Sequence, residues 1–416
     1  MMAMCAAAIW LAPAAQANVV LTDVSAQVGA PGNTQSYSVA PADWNGDGIN
    51  DHVLFVQHSG GPSLLYQINA NGTFTLVQSL DRKAVNKRGV ITAFEVDRHT
   101  CRWADFNHDG RQDAYCSLGA SNSGPAKSNE LWLGQANGTL ALAPATTIPG
   151  TGGAPDYAMG AGDPWGRGRG VAVADYNHDG WPDLFLTADH PRSDGRPTPD
   201  RLFLNLGDDS RGQWLGFADA PSWGVDVEEG SRGCDFTTDY NNDGLPDLVF
   251  CGSKTLTFYR NTGSSFTNVT STVMGPALFV ADAQIATVNG QQALVYVRIG
   301  SWGIRYRKPD GSFQRPGTTY PLTAGRAVEV VPSGIYVLQG NGVPGCRDNK
   351  PTAPKYCPTN YPDYFYPTTG TGLGSPVTIN APGHGDDVVA LSPTRLWVSN
   401  GADLDRGPTQ ILDITP

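Results

Sequence analysis

Four short segments of the sequence repeat one arrangement of acidic, amide and glycine residues. They share the template Asp-aromatic-Asn-x-Asp-Gly-x-x-Asp, begin 62, 70 and 64 residues apart, and span 43–51, 105–113, 175–183 and 239–247. Side-chain oxygens at positions 1, 3, 5 and 9 of such a loop can converge on one hard cation, and the carbonyl of position 7 adds another oxygen. Glycine at position 6 permits the sharp turn around the ion. The pattern therefore predicts about four structural Ca²⁺ ions.

The predicted ligands occupy positions 1, 3, 5, 7 and 9 of each loop. In chain order they are Asp43, Asn45, Asp47, Ile49, Asp51; Asp105, Asn107, Asp109, Arg111, Asp113; Asp175, Asn177, Asp179, Trp181, Asp183; and Asp239, Asn241, Asp243, Leu245, Asp247. Zn²⁺ is disfavoured because no Cys or His recurs in the template. An ion-free Asn/Asp/Gly turn is one alternative. An EF-hand is another, but position 12 is never Glu and the flanking residues are strand-like.

The charge balance of the chain follows from these loops. The formal net charge is −11, from 28 Lys and Arg against 39 Asp and Glu, and twelve of the Asp residues are predicted calcium ligands. We therefore expect bound metal to neutralise much of the negative charge of the chain. Because phosphate binding needs a basic surface, we exclude a general role in nucleic-acid binding.

The segments around each loop have the pattern of β-strands. In the third repeat, strands at 171–175 and 183–187 bracket the loop, and a third strand follows at 202–205. An Asn/Gly turn then leads to a fourth strand. Weaker copies begin near Phe279, Ala327 and Asp387. Repeated four-stranded units of about 60 residues predict an all-β, seven-bladed β-propeller of antiparallel blades, with six or eight blades as alternatives.

The two ends of the chain are predicted to meet. The N-terminal strand at 20–24 has no blade before it, and the segment 410–414 resembles a third strand that lacks an outer neighbour. We expect the N-terminal strand to close the propeller by completing the last blade. Residues 18–416 are then a single domain, expected to be a monomer.

The first seventeen residues resemble a secretory signal peptide. They contain an apolar run too short to span a bilayer, followed by Ala15-Gln16-Ala17 as a small-residue cleavage site. A buried N-terminal helix is the alternative. No later segment has 18 uninterrupted apolar residues, so no transmembrane segment is predicted. We expect a secreted, periplasmic or cell-surface protein.

Six cysteines remain after the signal, in three pairs that are close in sequence. They are Cys101 and Cys116, Cys234 and Cys251, and Cys346 and Cys357. The first two pairs fit one antiparallel register and would each join the strands that bracket a calcium loop. The third pair would close a surface loop. Disulfides suit an exported protein, and free buried thiols are the alternative.

The loops and the strands after them resemble the FG-GAP/VCBS repeats of integrin-α-like propellers. The four strong repeats cover about 40–270, and Asp-Leu-Phe-Leu after the third loop strengthens the likeness. This resemblance implies structural Ca²⁺ in the outer loops. Members of the group include adhesins, lectin-like binders and some polysaccharide-cleaving enzymes. The Phe-Gly and Gly-Ala-Pro elements of the integrin version are mostly absent, so an integrin-type ligand is not expected.

The long connections at the other end of the strands carry basic and aromatic residues. The candidate ligand-binding residues are Lys87, Arg88, Tyr157, Trp165, Arg167, Arg169, His190 and Arg192. Aromatic faces stack on sugars and Arg pairs with carboxylate or sulfate, so we predict a binding module for a glycan, a polysaccharide or a cell-surface protein. Ordinary solvated loops are the alternative reading.

Two other functional classes remain open from the sequence. A polysaccharide lyase or hydrolase would use His99, Tyr157 or His190 as acid or base. A calcium-stiffened subunit of a surface assembly is the third possibility. No nucleophile elbow, metalloprotease motif or phosphate loop is present, so catalysis is the less favoured hypothesis.

Overall fold

The strands of the protein are organised into antiparallel sheets. The computed structural model describes residues 19–32, 34, 36–57, 62–80, 82–85, 91–94, 97–119, 128–147, 155–163, 168–188, 198–225, 231–252, 255–340, 361–380, 385–401 and 407–415. Helix is confined there to single turns, and no helix in these ranges is long and apolar enough to cross a membrane.

The first half of the chain forms two four-stranded sheets and two small ribbons. It begins with β1 (Val20–Asp23) and α1 (Ser25–Val28). The first sheet contains β2 (Ser36–Ala42), β3 (His52–Gln57), β4 (Ser63–Ile68) and β5 (Phe74–Leu80). A ribbon of β6 (Arg82–Val85) and β7 (Ile91–Phe94) follows. The second sheet contains β8 (Arg98–Ala104), β9 (Asp113–Leu118), β10 (Glu130–Gly134) and β11 (Leu140–Leu142). The second ribbon is β12 (Thr146–Thr147) with β13 (Pro155–Asp156).

Two further four-stranded sheets contain the third and fourth acidic loops. The third sheet is β14 (Gly168–Ala174), β15 (Asp183–Ala188), β16 (Arg201–Asn205) and β17 (Phe217–Asp219). A 3-10 turn (Pro221–Trp223) leads to the fourth sheet, β18 (Ser231–Thr238), β19 (Asp247–Gly252), β20 (Leu256–Asn261) and β21 (Phe266–Asn268). In all four sheets each strand pairs with its sequence neighbour, as a meander.

The C-terminal part forms a six-stranded sheet and a final four-stranded sheet. After α2 (Thr270–Val273) come β22 (Asp282–Val288), β23 (Gln291–Tyr306), β24 (Thr318–Val331), β25 (Gly334–Gln339), β26 (Asp363–Pro367) and β27 (Val377–Ile379). The last strands are β28 (Asp387–Ser392), β29 (Arg395–Ser399) and β30 (Thr409–Thr415).

The predicted number of seven blades was wrong: the described residues form six blade sheets. The fifth and sixth predicted units lie in one six-stranded sheet, because β24 begins in the fifth unit and continues past Ala327, where the sixth unit was predicted to begin. β23 turns back at Gly300, and the Arg307 N–H donates to the Gln292 carbonyl, so its two halves lie side by side. In β24, residues 318–324 pair with β23 and 325–331 pair with β25 without a connecting loop.

The two ends of the chain lie in the same sheet. β1 pairs antiparallel with β30, from Val20 opposite Thr415 to Asp23 opposite Leu412, and the sheet order is β1-β30-β29-β28. Leu21 packs against the buried cluster that contains Leu412 and Ile414. The first strands of successive sheets, including the pair β2 and β28, contact one another around a central cavity.

The hydrophobic core is distributed between neighbouring sheets. One buried cluster joins Leu54 of the first sheet to Trp132 of the second, and another joins Phe185 of the third to Phe250 of the fourth. The second strands of these sheets, β3, β9, β15 and β19, are buried on both sides, which explains their continuous apolar runs in the sequence.

Two of the predicted disulfides are present. Cys101 on β8 is bonded to Cys116 on β9, directly opposite in the ladder, and Cys234 on β18 is bonded to Cys251 on β19. Each bond joins the two strands that bracket an acidic loop. Cys346 and Cys357 lie outside the described residues.

Candidate metal centres and the opposite face

The four acidic loops occupy equivalent places in the first four sheets. Each one connects the first strand of its sheet to the second, so all four lie at the same end of the strands. The pattern that predicted them therefore reflects one structural position repeated four times.

Within each loop the side-chain oxygens turn inward to the backbone. In the third loop, Asp175 accepts from the N–H groups of Asp179 and Gly180, at 3.1 and 2.9 Å. Asn177 accepts from Asp179 N–H at 3.1 Å, and Asp179 accepts from Trp181 N–H at 2.9 Å. The second and fourth loops repeat this pattern, and the first closely follows it. Positions 1, 3 and 5 thus present their oxygens to one concave turn.

The fourth position of each loop has a backbone requirement that sequence reasoning missed. His108, His178 and Asn242 have φ values of 53°, 57° and 58°, and Gly46 has 77°. This left-handed region is unfavourable for most side chains but is tolerated by Asn, His and Gly. The restriction of position 4 to these residue types was the signal that could have revealed it.

In the second, third and fourth loops the ninth position differs from positions 1, 3 and 5 because its side chain is buried in the sheet, whereas Asp51 of the first loop is partly exposed. Asp113, Asp183 and Asp247 are each 0% exposed. Asp183 accepts from Tyr176 N–H at 2.9 Å and from Asn205 N–H at 2.8 Å, which joins the loop to the third strand. Asp113 and Asp247 make the equivalent pairs of bonds.

Burial also changes the proton affinity of these ninth-position carboxyls. Desolvation raises the pKa of Asp113, Asp183 and Asp247 to about 7 in each case, although their backbone hydrogen bonds act in the opposite direction. The neighbouring carboxylates of positions 1 and 5 add to the increase, because like charges disfavour ionisation.

The chemistry of the donor set fits Ca²⁺ at positions 1, 3 and 5. All of these donors are carboxylate or amide oxygens, which a hard cation prefers. In the described conformation, however, no three Asp, Glu, His or Cys side chains of the described ranges surround one metal position. In the last three loops the ninth-position carboxylates are bonded to the sheet, and the oxygens of positions 1, 3 and 5 accept from loop N–H groups. A carboxylate has acceptor sites for an N–H group and for an ion at the same time, so these bonds are compatible with Ca²⁺ coordination.

A second contact joins the third and fourth sheets to the acidic loop of the preceding sheet. Asn205, at the end of β16, donates from its side-chain amide to the Phe106 carbonyl of the second loop at 2.9 Å. Asn261, at the end of β20, donates in the same way to the Tyr176 carbonyl of the third loop at 2.9 Å. The Asn that ends the third strand of the third and fourth sheets thus holds the neighbouring acidic loop in place.

On the opposite face, the structure describes two of the eight candidate ligand residues. Tyr157 is half-buried, and its carbonyl accepts from Leu131 N–H at 2.9 Å. Arg169 lies near the start of β14, at the end of the strand remote from the acidic loop. The other six, Lys87, Arg88, Trp165, Arg167, His190 and Arg192, lie outside the described residues.

Arg169 contacts Tyr37, a residue that sequence reasoning did not single out. The guanidinium carbon lies 5.7 Å from the centre of the Tyr37 ring and a guanidinium nitrogen donates to the Tyr37 hydroxyl. Tyr37 in turn stacks on His99, with ring centres 4.5 Å apart. Three first strands, β2, β8 and β14, therefore contribute one side chain each to a connected cluster at the end opposite the acidic loops.

His99, the sequence candidate for acid or base catalysis, is buried in this cluster. Its ring is 4% exposed, its Nδ1 is 2.6 Å from the Gly168 carbonyl, and its Nε2 is 3.3 Å from an Asp97 carboxylate oxygen. Because both nitrogens face protein oxygens, the ring holds neighbouring strands together and presents little surface to a substrate. His190, the other histidine candidate, lies outside the described residues.

Comparison with known proteins supports the repeat assignment. An FG-GAP-like repeat family model matches residues 105–186 and 239–290. A search of curated proteins found no match. Among solved structures, the Dos1 propeller is similar over 92% of this chain and 93% of that chain, with a TM-score of 0.51 and 9% sequence identity.

Two other solved structures resemble the chain with lower TM-scores. A lectin from Agrocybe aegerita that recognises non-reducing terminal N-acetylglucosamine has a TM-score of 0.44 and 13% identity, over 86% of this chain and 91% of that one. Virginiamycin B lyase from Staphylococcus aureus has a TM-score of 0.41 and 12% sequence identity, over 96% of this chain and 99% of that chain.

The fold defines the class of protein, a β-propeller with four-stranded antiparallel blades. The matched segments include the second, third and fourth acidic loops, so these parts of the chain are similar to FG-GAP-like repeats.

Proposed function

We propose that the protein is an exported, calcium-stabilised propeller that binds a glycan or polysaccharide through the face opposite its acidic loops. The observation that carries this proposal is the Arg169–Tyr37 pair. Tyr37 lies near the start of β2 and Arg169 near the start of β14, which are the first strands of their sheets. Tyr37 also lines the central cavity. A guanidinium fixed in this way is a preorganised donor for hydroxyl, carboxylate or sulfate groups of a sugar.

The sequence adds further support for this face. Basic and aromatic residues are concentrated in its connections, although the chain as a whole has a net charge of −11. Trp165 and Arg167 precede Arg169 by a few residues, and aromatic rings with guanidinium groups suit acidic sugars. A cell-surface protein bearing such a glycan is an equally suitable partner.

Calcium and ring closure have a structural role in this proposal. Ca²⁺ would be held by the oxygens at positions 1, 3 and 5 of each loop, where it neutralises carboxylates that otherwise repel one another. The pairing of β1 with β30 would close the ring of a monomer. Rigid strands then hold the binding connections at fixed positions. A signal peptide at 1–17 would provide export.

Retention of polysaccharides is the direct test. Mature protein with excess Ca²⁺ is passed over a panel of immobilised acidic and neutral polysaccharides. We expect retention on an acidic polysaccharide, and at least a tenfold weaker affinity for Arg169→Met and for a Trp165→Ala, Arg167→Met double variant. Arg211→Met is the matched control, because Arg211 is exposed in the connection between β16 and β17, at the acidic-loop end.

The same incubation separates the competing functions. New reducing ends or unsaturated sugars would replace the binding-module proposal with polysaccharide cleavage. Retention that is equal in the Arg169 and control variants would remove this face as the binding site. Absence of both retention and products would contradict glycan binding and favour a structural subunit of a surface assembly.

A further inference from the structure

The centre of the propeller contains a cavity that the glycan-binding face does not account for. It has a volume of about 610 Å³ and is lined by residues on or next to β2, β8, β18, β22, β24 and β28. This volume is in the range of pockets that bind small molecules. Five carboxyl groups and two guanidinium groups line it: Asp235, Asp282, Glu329, Asp386, Asp387, Arg102 and Arg326.

The carboxyl groups are held in fixed positions by bonds between strands. Asp387 accepts from Val39 N–H at 3.0 Å, and Asp282 accepts from Val328 N–H at 2.9 Å. Glu329 accepts from the Gln284 side-chain amide at 2.6 Å. These hydrogen bonds explain why acidic residues are tolerated in the central cavity, but they use only part of the acceptor capacity of each carboxylate.

The cavity is short of positive charge. Arg326 is engaged by Asp386, with nitrogen–oxygen distances of 3.0 and 2.6 Å. Among the described lining residues, two guanidinium groups, those of Arg102 and Arg326, face five carboxyl groups. Desolvation raises the pKa of Asp282 to about 6, of Asp387 to about 7 and of Glu329 to about 8. For Asp387 and Glu329, nearby carboxylates add to this increase, as expected where a counter-cation is missing.

The wall also offers polar groups without internal partners. Thr100 is 4% exposed, and within the described part of the chain its hydroxyl makes no hydrogen bond. The Arg102 guanidinium has one hydrogen bond there, from Nη1 to the Cys101 carbonyl. Buried polar groups in native proteins are usually satisfied. An unpartnered hydroxyl that faces a cavity therefore points to a ligand or to water.

The charged groups are distributed around the cavity on several strands. The aromatic rings of Trp103 and Phe236 lie between them in the lining. Separated carboxylates and aromatic faces suit an extended organic cation, whose ammonium groups donate to carboxylates and contact rings.

We propose that the central cavity binds a small organic cation through primary ammonium groups. The ammonium groups lie between the carboxylates of Asp282, Asp387 and Glu329, and the Thr100 hydroxyl accepts a further hydrogen bond. The same chemistry occurs in free polyamines and in amine-bearing sugars, so the two sources must be distinguished by experiment.

Calorimetric titration of the mature protein in saturating Ca²⁺ tests the proposal, since filled acidic loops no longer compete for cations. Spermidine and glucosamine are the probes, and N-acetylglucosamine is the uncharged counterpart of glucosamine. We expect saturable binding of one molecule per chain for at least one probe. Binding of spermidine alone identifies a polyamine site, and binding of glucosamine alone identifies an amine-bearing sugar. Failure of both, or equal binding of N-acetylglucosamine, overturns the proposal.

Two variants locate the bound probe. Glu329→Gln should weaken binding at least tenfold, whereas Asp310→Asn, which removes a charge from an exposed turn, should leave it unchanged. Thr100→Val is the second variant, because loss of an unpartnered hydroxyl should not impair folding, and it should weaken binding several-fold. Wild-type affinity in the Thr100 variant and in folded Glu329→Gln would place the probe elsewhere and contradict the proposal.

Discussion

His108 and Trp181 stack face to face across two different acidic loops. Their ring centres are 3.8 Å apart and the planes are inclined by 12°. His108 is the fourth residue of the second loop and Trp181 is the seventh residue of the third. The proposed calcium sites of neighbouring sheets are therefore in direct contact through side chains that do not themselves bind the ion.

The stack should make the two loops energetically dependent on each other. Aromatic pairs contribute about 0.5–1.5 kcal/mol beyond simple burial. In a double-mutant cycle of His108→Asn and Trp181→Leu, we expect a coupling in the unfolding free energy of that size. Asn is suitable because Asn242 occupies the equivalent place in the fourth loop. A matched cycle of His178→Asn and Leu245→Ala should give a smaller coupling, and equal values would contradict the role of the stack.

Removal of calcium should destabilise the protein. A ligand present at about 100 times its dissociation constant stabilises the folded state by about 2.7 kcal/mol per site. We expect a chelator to lower the melting temperature and Asp175→Asn to reduce the gain on calcium addition. Asp208→Asn is the control, because Asp208 is an exposed carboxylate outside the loops. An unchanged melting temperature after chelation would remove calcium from the proposed function.

The buried pair of Arg98 and Glu130 should be important for stability. Arg98 Nε is 2.7 Å from Glu130 Oε2, with side chains 1% and 0% exposed, and the Trp132 indole N–H donates to the same oxygen at 3.0 Å. Glu130→Gln leaves a buried guanidinium without its counter-charge, and we expect a loss of about 3 kcal/mol in chemical denaturation.

The exposed pair of Lys308 and Asp310 is the control for that experiment. Lys308 Nζ lies 3.3 Å from Asp310 Oδ2, but solvent screens the two charges because both side chains are exposed. Asp310→Asn should leave the denaturation midpoint nearly unchanged. If Glu130→Gln has as small an effect, the Arg98–Glu130 pair does not stabilise the sheet.

Stability should decrease as the pH rises through the acidic range, in part because of Asp363. Burial raises the pKa of this carboxyl from 3.8 to about 7, against the lowering effect of its bonds with Gln339 N–H and the Tyr336 hydroxyl. Between these values the folded state binds a proton that the unfolded state has released, so the unfolding free energy falls with pH and levels above about 7.

The variant Asp363→Asn tests this dependence. The substitution should make the unfolding free energy decrease less steeply with pH, by up to about 1.4 kcal/mol per pH unit for one proton. Urea denaturation of the wild type and the variant across the window, in constant Ca²⁺, provides the comparison. Parallel pH profiles would show that Asp363 is ionised in both states.

Deletion of residues 1–24 should destabilise the last sheet relative to deletion of 1–17. The longer deletion removes β1, exposes the edge of β30, and removes the contact of Leu21 with Ile414. Burial of a leucine contributes about 1.5–3 kcal/mol, and an unpaired edge promotes association. We expect a lower melting temperature and concentration-dependent aggregation by light scattering. Equal behaviour of the two proteins would show that β1 is dispensable.

The repeated loops show which features are local enough to be predicted from sequence. Each loop is determined within nine residues, because Asp and Asn side chains bond to nearby N–H groups and Gly permits the turn. Alternating apolar residues likewise predicted the flanking strands, and the register of the Cys101–Cys116 pair followed from antiparallel geometry. The role of Asn205 was not predicted, since its partner, the Phe106 carbonyl, belongs to another sheet.

The sequence alone determined the all-β class, the four-stranded repeats and the position of the acidic loops, because these depend on side-chain chemistry over short stretches. Tertiary structure decided the number of sheets, because β24 continues without a loop at Gly325 and pairs with strands of two successive repeats. It also decided the charge of the central cavity. Asp282, Glu329 and Asp387 are far apart in the chain and line one cavity only because β22, β24 and β28 pack around it.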